Sequence, residues 1–343
     1  MLFLLALLAF QDGNIAWQQT ETGIFRNLER HHAALTNGGA VFLANPAESQ
    51  VLLIAEKGMV VRPFGRKGKG PGEMEHITAL FYRDGELFVY DNGLNRIAVF
   101  DVPGKFLRNI AVPKRRPDLM LTKGGWLIGD WNAVGQGKDE AVLYLADVNM
   151  QNLKEVKRFP GPFYHAGMRI SRARPGEALC SPLTAKPKLV GTASGQFAYV
   201  ADALKLQISV IDTQSGKVTQ TLNHPHAPIA MDEDWVKAEV KEMASMVPNQ
   251  NIKPVANVPK NFPAVRDVML DPIDGGLVID RWRGRPDQKH HPLRLTLEGK
   301  EGAPVENWPQ LKKTFGRINK WIYRLEFNQE TEEMAVVVRR MGS

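Results

Sequence analysis

The sequence predicts an all-β fold made of copies of one four-stranded unit, with one inserted helix. The clearest unit spans residues 77–110, where four runs of strand-forming residues alternate with turns. Asp91-Asn92-Gly93 and Asp101 to Gly104 carry turn residues that do not continue a strand. Such a meander cannot bury both of its apolar faces alone, so it requires further copies beside it.

Four other segments repeat this pattern of glycine, strand, aspartate, loop, strand and a turn ending in Gly-Lys. They begin at Gly39, Gly125, Gly195 and Gly276, and the unit described above begins at Gly85. Strands are also expected at 15–25, 322–327 and 334–339, where the two ends of the chain supply a sixth copy. The repeats therefore predict a six-bladed β-propeller, a single domain over residues 13–343 that the N- and C-terminal strands close. Val156 to Phe159 and Met168 to Ala173 are expected to supply further blade strands.

Two motifs give the chain a family resemblance. The first is Phe64-Gly65 with Gly70-Pro71-Gly72-Glu73, and the second is the spacing of Asp91, Ile97 and Asp101 before Gly104-Lys105. On these motifs and on the later segment 260–267, the chain resembles bacterial six-bladed β-propellers related to NHL repeats and TolB-like propellers. The resemblance spans about residues 36 to 300 and implies the fold. It does not imply an activity, because propellers host many functions.

Composition suggests a globular protein with a preference for anions. The chain has 343 residues, 43% of them hydrophobic, and a net charge of +7. This charge favours an anionic partner, and it is equally consistent with a generally soluble surface. Cys180 is the only cysteine, so no intrachain disulfide can form.

The N-terminus carries an apolar run, Leu2 to Phe10. The run is too short to span a bilayer and has the length of a secretory h-region. No Lys or Arg precedes it, so a buried N-terminal strand is the alternative. We expect residues 1–12 to be a signal segment, the protein to be periplasmic or secreted, and no transmembrane span. Export would make nucleic acid an unsuitable partner.

Two local segments have simple structural interpretations. Gly65 and Gly70 have Walker spacing, but Pro71 stands where a phosphate-binding loop needs lysine, so we expect a linker between blades. The inserted helix is expected at about 232–247. Asp232 would cap it, and Val236, Val240 and Met243 would form its apolar stripe.

No catalytic or cofactor motif is evident in the sequence. HExxH, CxxC and EF-hand patterns are absent, and six of the eight histidines occur as adjacent or nearly adjacent pairs. Asp118 and Asp267 fall near predicted inner strands, where six-bladed lactonases keep calcium ligands. Two scattered carboxylates support such a site weakly. We expect a non-enzymatic binding or scaffold protein without metal or cofactor. The alternative is a propeller hydrolase or lyase with a metal-assisted site in the central channel.

The loops between second and third strands should lie on the same face as the linkers between blades. Basic residues concentrate in these segments, whereas the opposite turns mix both charges. The candidate ligand-binding residues are Arg281, Trp282, Arg283, His290, Lys114, Arg115 and Trp131. The tryptophans would stack on a ligand, and the cations would attract an anionic glycan, an acidic protein or a lipid headgroup. A solvated rim without a ligand is the alternative.

Overall fold

A computed structural model describes a large part of the chain. The described residues are 15–19, 30–55, 60–131, 140–160, 167–170, 177–181, 186–192, 194–245, 251–254, 260–271, 274–282, 292–296, 298–303, 305, 314–318, 321–328 and 333–340. The predicted signal segment lies outside them. The chain divides into two compact units: residues 1–114, 271–274 and 306–343 form the first, and residues 115–270 and 275–305 form the second.

The first unit contains three four-stranded antiparallel sheets. One comprises β2 (Ala33–Leu35), β3 (Val41–Asn45), β4 (Gln50–Ile54) and β5 (Val60–Phe64). Another comprises β8 (Ile77–Arg83), β9 (Glu86–Asp91), β10 (Arg96–Asp101) and β11 (Phe106–Ala111). In the third, β1 (Ile15–Gln19) pairs with β28 (Glu333–Arg340), which continues through β27 (Trp321–Asn328) to β26 (Thr314–Ile318). The terminal strands therefore share one sheet.

The glycine-rich loop joins two of these sheets, and hydrogen bonds with residues of the same unit fix its conformation. It contains a short parallel pair, β6 (Arg66–Lys67) and β7 (Glu73–Met74). The Arg96 guanidinium donates to the carbonyl oxygens of Lys69, Gly70 and Glu73 at 2.9 to 3.1 Å. The Glu73 carboxylate in turn accepts from the Gly70 N–H at 2.7 Å. These contacts give the loop a structural role as a linker between blades.

The second unit contains two four-stranded sheets and one three-stranded sheet of the same form. The first comprises β12 (Asp118–Leu121), β13 (Trp126–Asp130), β14 (Glu140–Ala146) and β15 (Lys154–Pro160). The second comprises β18 (Lys188–Gly191), β19 (Phe197–Ala201), β20 (Gln207–Asp212) and β21 (Lys217–Asn223). The third comprises β23 (Val265–Leu270), β24 (Leu277–Arg281) and β25 (Leu293–Leu295). Each unit thus holds three sheets with the form of a propeller blade.

A further sheet in the second unit corrects one expectation. It consists of β16 (Gly167–Ile170), β17 (Glu177–Ser181) and β22 (Asn251–Pro254), and β17 runs parallel to β22. The expectation that Met168 to Ala173 supplies a blade strand is wrong for residues 168–170, and the rest of that segment lies outside the described residues. The strand pairs instead with β17, in a sheet formed partly by the segment that follows the inserted helix.

The inserted helix is α1 (Glu233–Ser245), close to its predicted bounds. The Asp232 carboxylate accepts the N–H of Asp234 at 2.8 Å, which satisfies one of the unpaired donors of the first turn. Trp235 is the most buried side chain described on α1 and packs into the core cluster with Phe262. In the described part of the chain, no helix has both the length and the apolar character to cross a bilayer.

Candidate ligand-binding site

The structure describes five of the seven predicted site residues. Arg281 ends β24 and Trp282 follows it, and both side chains are half-buried. Arg283 and His290 lie outside the described residues. Lys114 belongs to the first unit and exposed Arg115 to the second. Arg281 and Trp282 therefore remain as the described centre of the predicted surface.

The predicted stacking role of Trp131 is wrong. Only 2% of this residue is exposed, and its ring meets Phe159 edge-on inside the core. Its Nε1–H donates to the Asp118 carboxylate at 2.9 Å, and the same carboxylate accepts Lys186 Nζ at 2.7 Å. Trp131 thus joins a partly buried polar network and offers no face to a ligand.

Trp282 sits in an aromatic cluster that links three segments of the second unit. Its ring stacks on Phe262, with centroids 5.3 Å apart and planes 19° apart. Trp235 meets it nearly edge-on, at 6.4 Å and 68°. Phe262 and Trp235 both belong to the linker between β21 and β23, so this linker and the loop after β24 meet at one end of the sheets.

One arginine lies against the Trp282 ring. The Arg266 guanidinium lies over it at 5.3 Å from the centroid, a cation–π contact. Arg266 also approaches the buried Asp280 carboxylate, with 4.0 Å between Nε and Oδ2. Arg281 precedes Trp282 in the chain. The Arg266 charge is therefore partly balanced by a carboxylate that water does not reach.

His226 adds a titratable group to this end of the unit. Burial lowers the pKa of His226, and the positive charge of Arg281 lowers it further. Both effects disfavour the imidazolium, so the ring is mostly neutral at neutral pH. The half-buried His226 then offers a neutral donor or acceptor beside a permanent cation.

Sequence reasoning missed Trp235, Phe262 and Arg266 as members of this cluster. The apolar stripe predicted for the helix includes Val236 and omits Trp235. Trp235 and Phe262 lie in a linker that gives no pairing signal with Trp282, whereas Arg266 lies in β23, the strand paired with β24.

One other titratable cluster lies between neighbouring sheets of the second unit. Lys157 Nζ donates to the buried Ser209 hydroxyl at 2.5 Å and lies over the Phe159 ring at 5.2 Å. Burial lowers the pKa of Lys157, against the opposing charge of Asp202. Ser209 is only 1% exposed, so the pair connects two sheets without access for a substrate. Within the described ranges, no group of three or more His, Cys, Asp or Glu side chains is arranged to hold a metal ion.

Comparison with known proteins agrees with the blade count. Residues 29–164, less than half of the chain, match the DUF5128 family model, described as a 6-bladed beta-propeller. No curated protein matches the sequence. The six blade-form sheets, the single α-helix among the described residues and this match assign the chain to the all-β class, as a six-bladed β-propeller with one inserted helix.

Solved structures resemble this one at low sequence identity. A member of the DUF4221 family from Bacteroides vulgatus matches with a TM-score of 0.52 and 10% identity, over 98% of this chain and 99% of that chain. A luciferin-regenerating enzyme matches with a TM-score of 0.44 and 12% identity, over 91% of each chain. Hydrazine synthase from Kuenenia stuttgartiensis matches with a TM-score of 0.46 and 11% identity, over 88% of this chain and 75% of that chain. At such identities the first of these likenesses extends to the fold alone, and the other two are too weak to support an argument.

Proposed function

We propose that this protein is an exported binding or scaffold protein that recognises an anionic ligand or protein partner at the Arg281–Trp282 end of its second unit. The observation that carries the proposal is the half-buried Trp282, which stacks on Phe262 and lies under the Arg266 guanidinium, with Arg281 as the preceding residue in the chain. A rigid aromatic surface beside guanidinium groups suits ligands that combine negative charge with an apolar part. The apolar run at residues 2–10 supports export to the periplasm or beyond.

Retention on immobilised heparin tests the anionic preference. Arg281→Gln removes a permanent charge at the proposed surface, so the variant should elute at lower salt than the unsubstituted protein. Lys217→Gln is the matched control, because exposed Lys217 begins β21 directly after its turn from β20, at the other end of the sheets. Equal elution of both variants would contradict the proposed location.

The proposal assigns no enzyme activity to this chain. The rival function is a hydrolase or lyase with a metal-assisted site in the central channel. Metal analysis of the purified protein separates the two. Stoichiometric calcium or zinc that chelation removes, together with a loss of thermal stability, would favour the rival.

A further inference from the structure

Two indole N–H groups in the aromatic cluster are buried without an acceptor. Trp235 Nε1 and Trp282 Nε1 each expose less than 1 Å², and neither has a hydrogen-bond partner among the described residues. Two other buried tryptophans are satisfied: Trp126 Nε1 donates to the Val148 carbonyl at 3.1 Å, and Trp131 Nε1 donates to Asp118. A buried donor left unpaired costs about 1–3 kcal/mol, so two of them in neighbouring rings need an explanation.

The surroundings indicate what kind of acceptor would satisfy them. Arg266 places positive charge over the Trp282 ring, which favours an acceptor that carries negative charge. The nearby partly buried side chains of Met231 and Val236 are apolar and pack on the same cluster. A strongly hydrated inorganic anion would lose its water against such groups, whereas an organic acid with an apolar body would bury useful surface.

The acidic first turn of α1 limits the charge of the ligand. Glu233 and Asp234 are exposed beside Trp235, and Asp234 pairs only with the exposed Lys237 at 3.3 Å. Carboxylates at this position repel a ligand with several negative charges more than one with a single charge. The balance of charges therefore favours a monoanion at the indole groups.

We propose that the Trp235–Trp282 cluster is a binding site for an organic monocarboxylate with an apolar or aromatic body. The carboxylate accepts the Nε1–H of Trp235 and of Trp282, the neighbouring guanidinium groups stabilise its charge, and the body packs against Val236 and the partly exposed Trp282 ring. This assignment rests on the proposed function, whose ligand class it narrows. The site borders solvent at Trp282, so a small acid reaches the donors by displacement of that ring.

Nuclear magnetic resonance of protein labelled with ¹⁵N-tryptophan tests the site, with benzoate as the probe. The chain has seven tryptophans, and single Trp→Phe variants assign their indole signals. Benzoate should move the indole N–H signals of Trp235 and Trp282 downfield, as new hydrogen bonds do, and leave that of Trp131 in place. Benzamide has the same ring without the charge and should cause no such shift.

Affinity provides the second measurement. Trp282→Phe keeps an aromatic ring and removes one donor, so it should weaken benzoate binding about tenfold, because a hydrogen bond to a charged acceptor is lost. Trp235→Phe should weaken benzoate binding to the same extent. If this core variant does not fold, Trp282→Phe still tests the site, because Trp282 is only half-buried. Unmoved indole signals, equal shifts with benzamide, or unchanged affinity in the folded Trp282→Phe protein would overturn the assignment.

The outcome is distinguishable from failure of the proposed function. If benzoate has no effect while Arg281→Gln still lowers the salt needed for elution from heparin, the carboxylate site is wrong and the anionic surface stands. If neither responds, both proposals are wrong.

Discussion

Replacement of Asp91 tests how the repeated aspartate holds a blade together. Asp91 ends β9 and is 0% exposed. One carboxylate oxygen accepts the N–H of Glu75 at 2.8 Å. The other accepts those of His76, Gly93 and Leu94 at 3.0 to 3.2 Å. The side chain thus ties the turn after β9 to the segment that enters β8.

The magnitude follows from the number of donors that two oxygens satisfy. In Asp91→Asn, one oxygen becomes an NH₂ group, so at least one backbone N–H faces another donor with no acceptor. A buried unsatisfied donor costs about 1–3 kcal/mol, and the loss of negative charge weakens the remaining bonds. We expect the free energy of unfolding to fall by about 2–4 kcal/mol. Asp202→Asn should cost only about 1 kcal/mol, because a single oxygen of Asp202 accepts both of its backbone bonds, from Leu204 and Lys205, and an amide oxygen can replace it.

Urea denaturation followed by circular dichroism and tryptophan fluorescence measures these differences. Asp84→Asn is the control, since Asp84 lies in an exposed turn and asparagine tolerates its positive φ of 52°. The control should change the free energy of unfolding by less than about 0.5 kcal/mol. If Asp91→Asn costs no more than this control, the four bonds do not stabilise the blade as argued.

Three further predictions concern single contacts. Arg96→Lys should speed tryptic cleavage in the loop 65–72, because lysine cannot bridge three carbonyl oxygens as the guanidinium does, and an unchanged cleavage rate would contradict this. Hydrogen bonds from Arg108 lower the pKa of Glu86 in the folded protein. The stabilisation they give is present above the pKa of Glu86 in the unfolded chain and is lost as pH falls through its pKa in the folded protein. Glu86→Gln should therefore make the urea midpoint depend less on pH in the acid range. Burial lowers the pKa of Lys157 in the folded protein, so between its folded and unfolded pKa values the unfolded chain binds more protons than the folded one. The free energy of unfolding should therefore rise with pH in that interval. Lys157→Met should abolish this alkaline rise, and a rise that persists would implicate another group.

Much of the fold was predictable because the blades are built from local contacts. The spacing of Asp91, Ile97 and Asp101 fixes one hairpin, since strand and turn propensities act over a few residues. The same spacing recurs at Asp202, Ile208 and Asp212, and the structure has a sheet at each. The sheet of β16, β17 and β22 was not predictable in this way. Its parallel pair joins strands on either side of an entire blade and the inserted helix, and no local pattern links them.

The two tryptophans of the predicted surface, Trp131 and Trp282, differ in whether they can contact a ligand. Trp131 and Trp282 each follow the second strand of a blade, and the repeat alone predicts the same ligand-binding role for both. Two positions before Trp131 stands Gly129, where a Cβ would overlap the Trp131 ring, so glycine permits the indole to fold back onto its own strand. The corresponding position before Trp282 is Asp280, a buried side chain that Arg266 approaches.

The difference between Gly129 and Asp280 also explains why the indole N–H of Trp131 is hydrogen-bonded and that of Trp282 is not. With Gly129 in place, the Trp131 ring reaches Asp118, the residue paired with Gly129 across the neighbouring strand, and its donor is satisfied inside the blade. At the other blade, Trp282 packs on Phe262 from the linker, and its donor meets no acceptor. A glycine in the middle of a predicted strand was thus the one sequence signal that separated the structural tryptophan from the candidate binding one. The aromatic partners of Trp282 come from a linker without repeat symmetry, and only the three-dimensional structure identifies them.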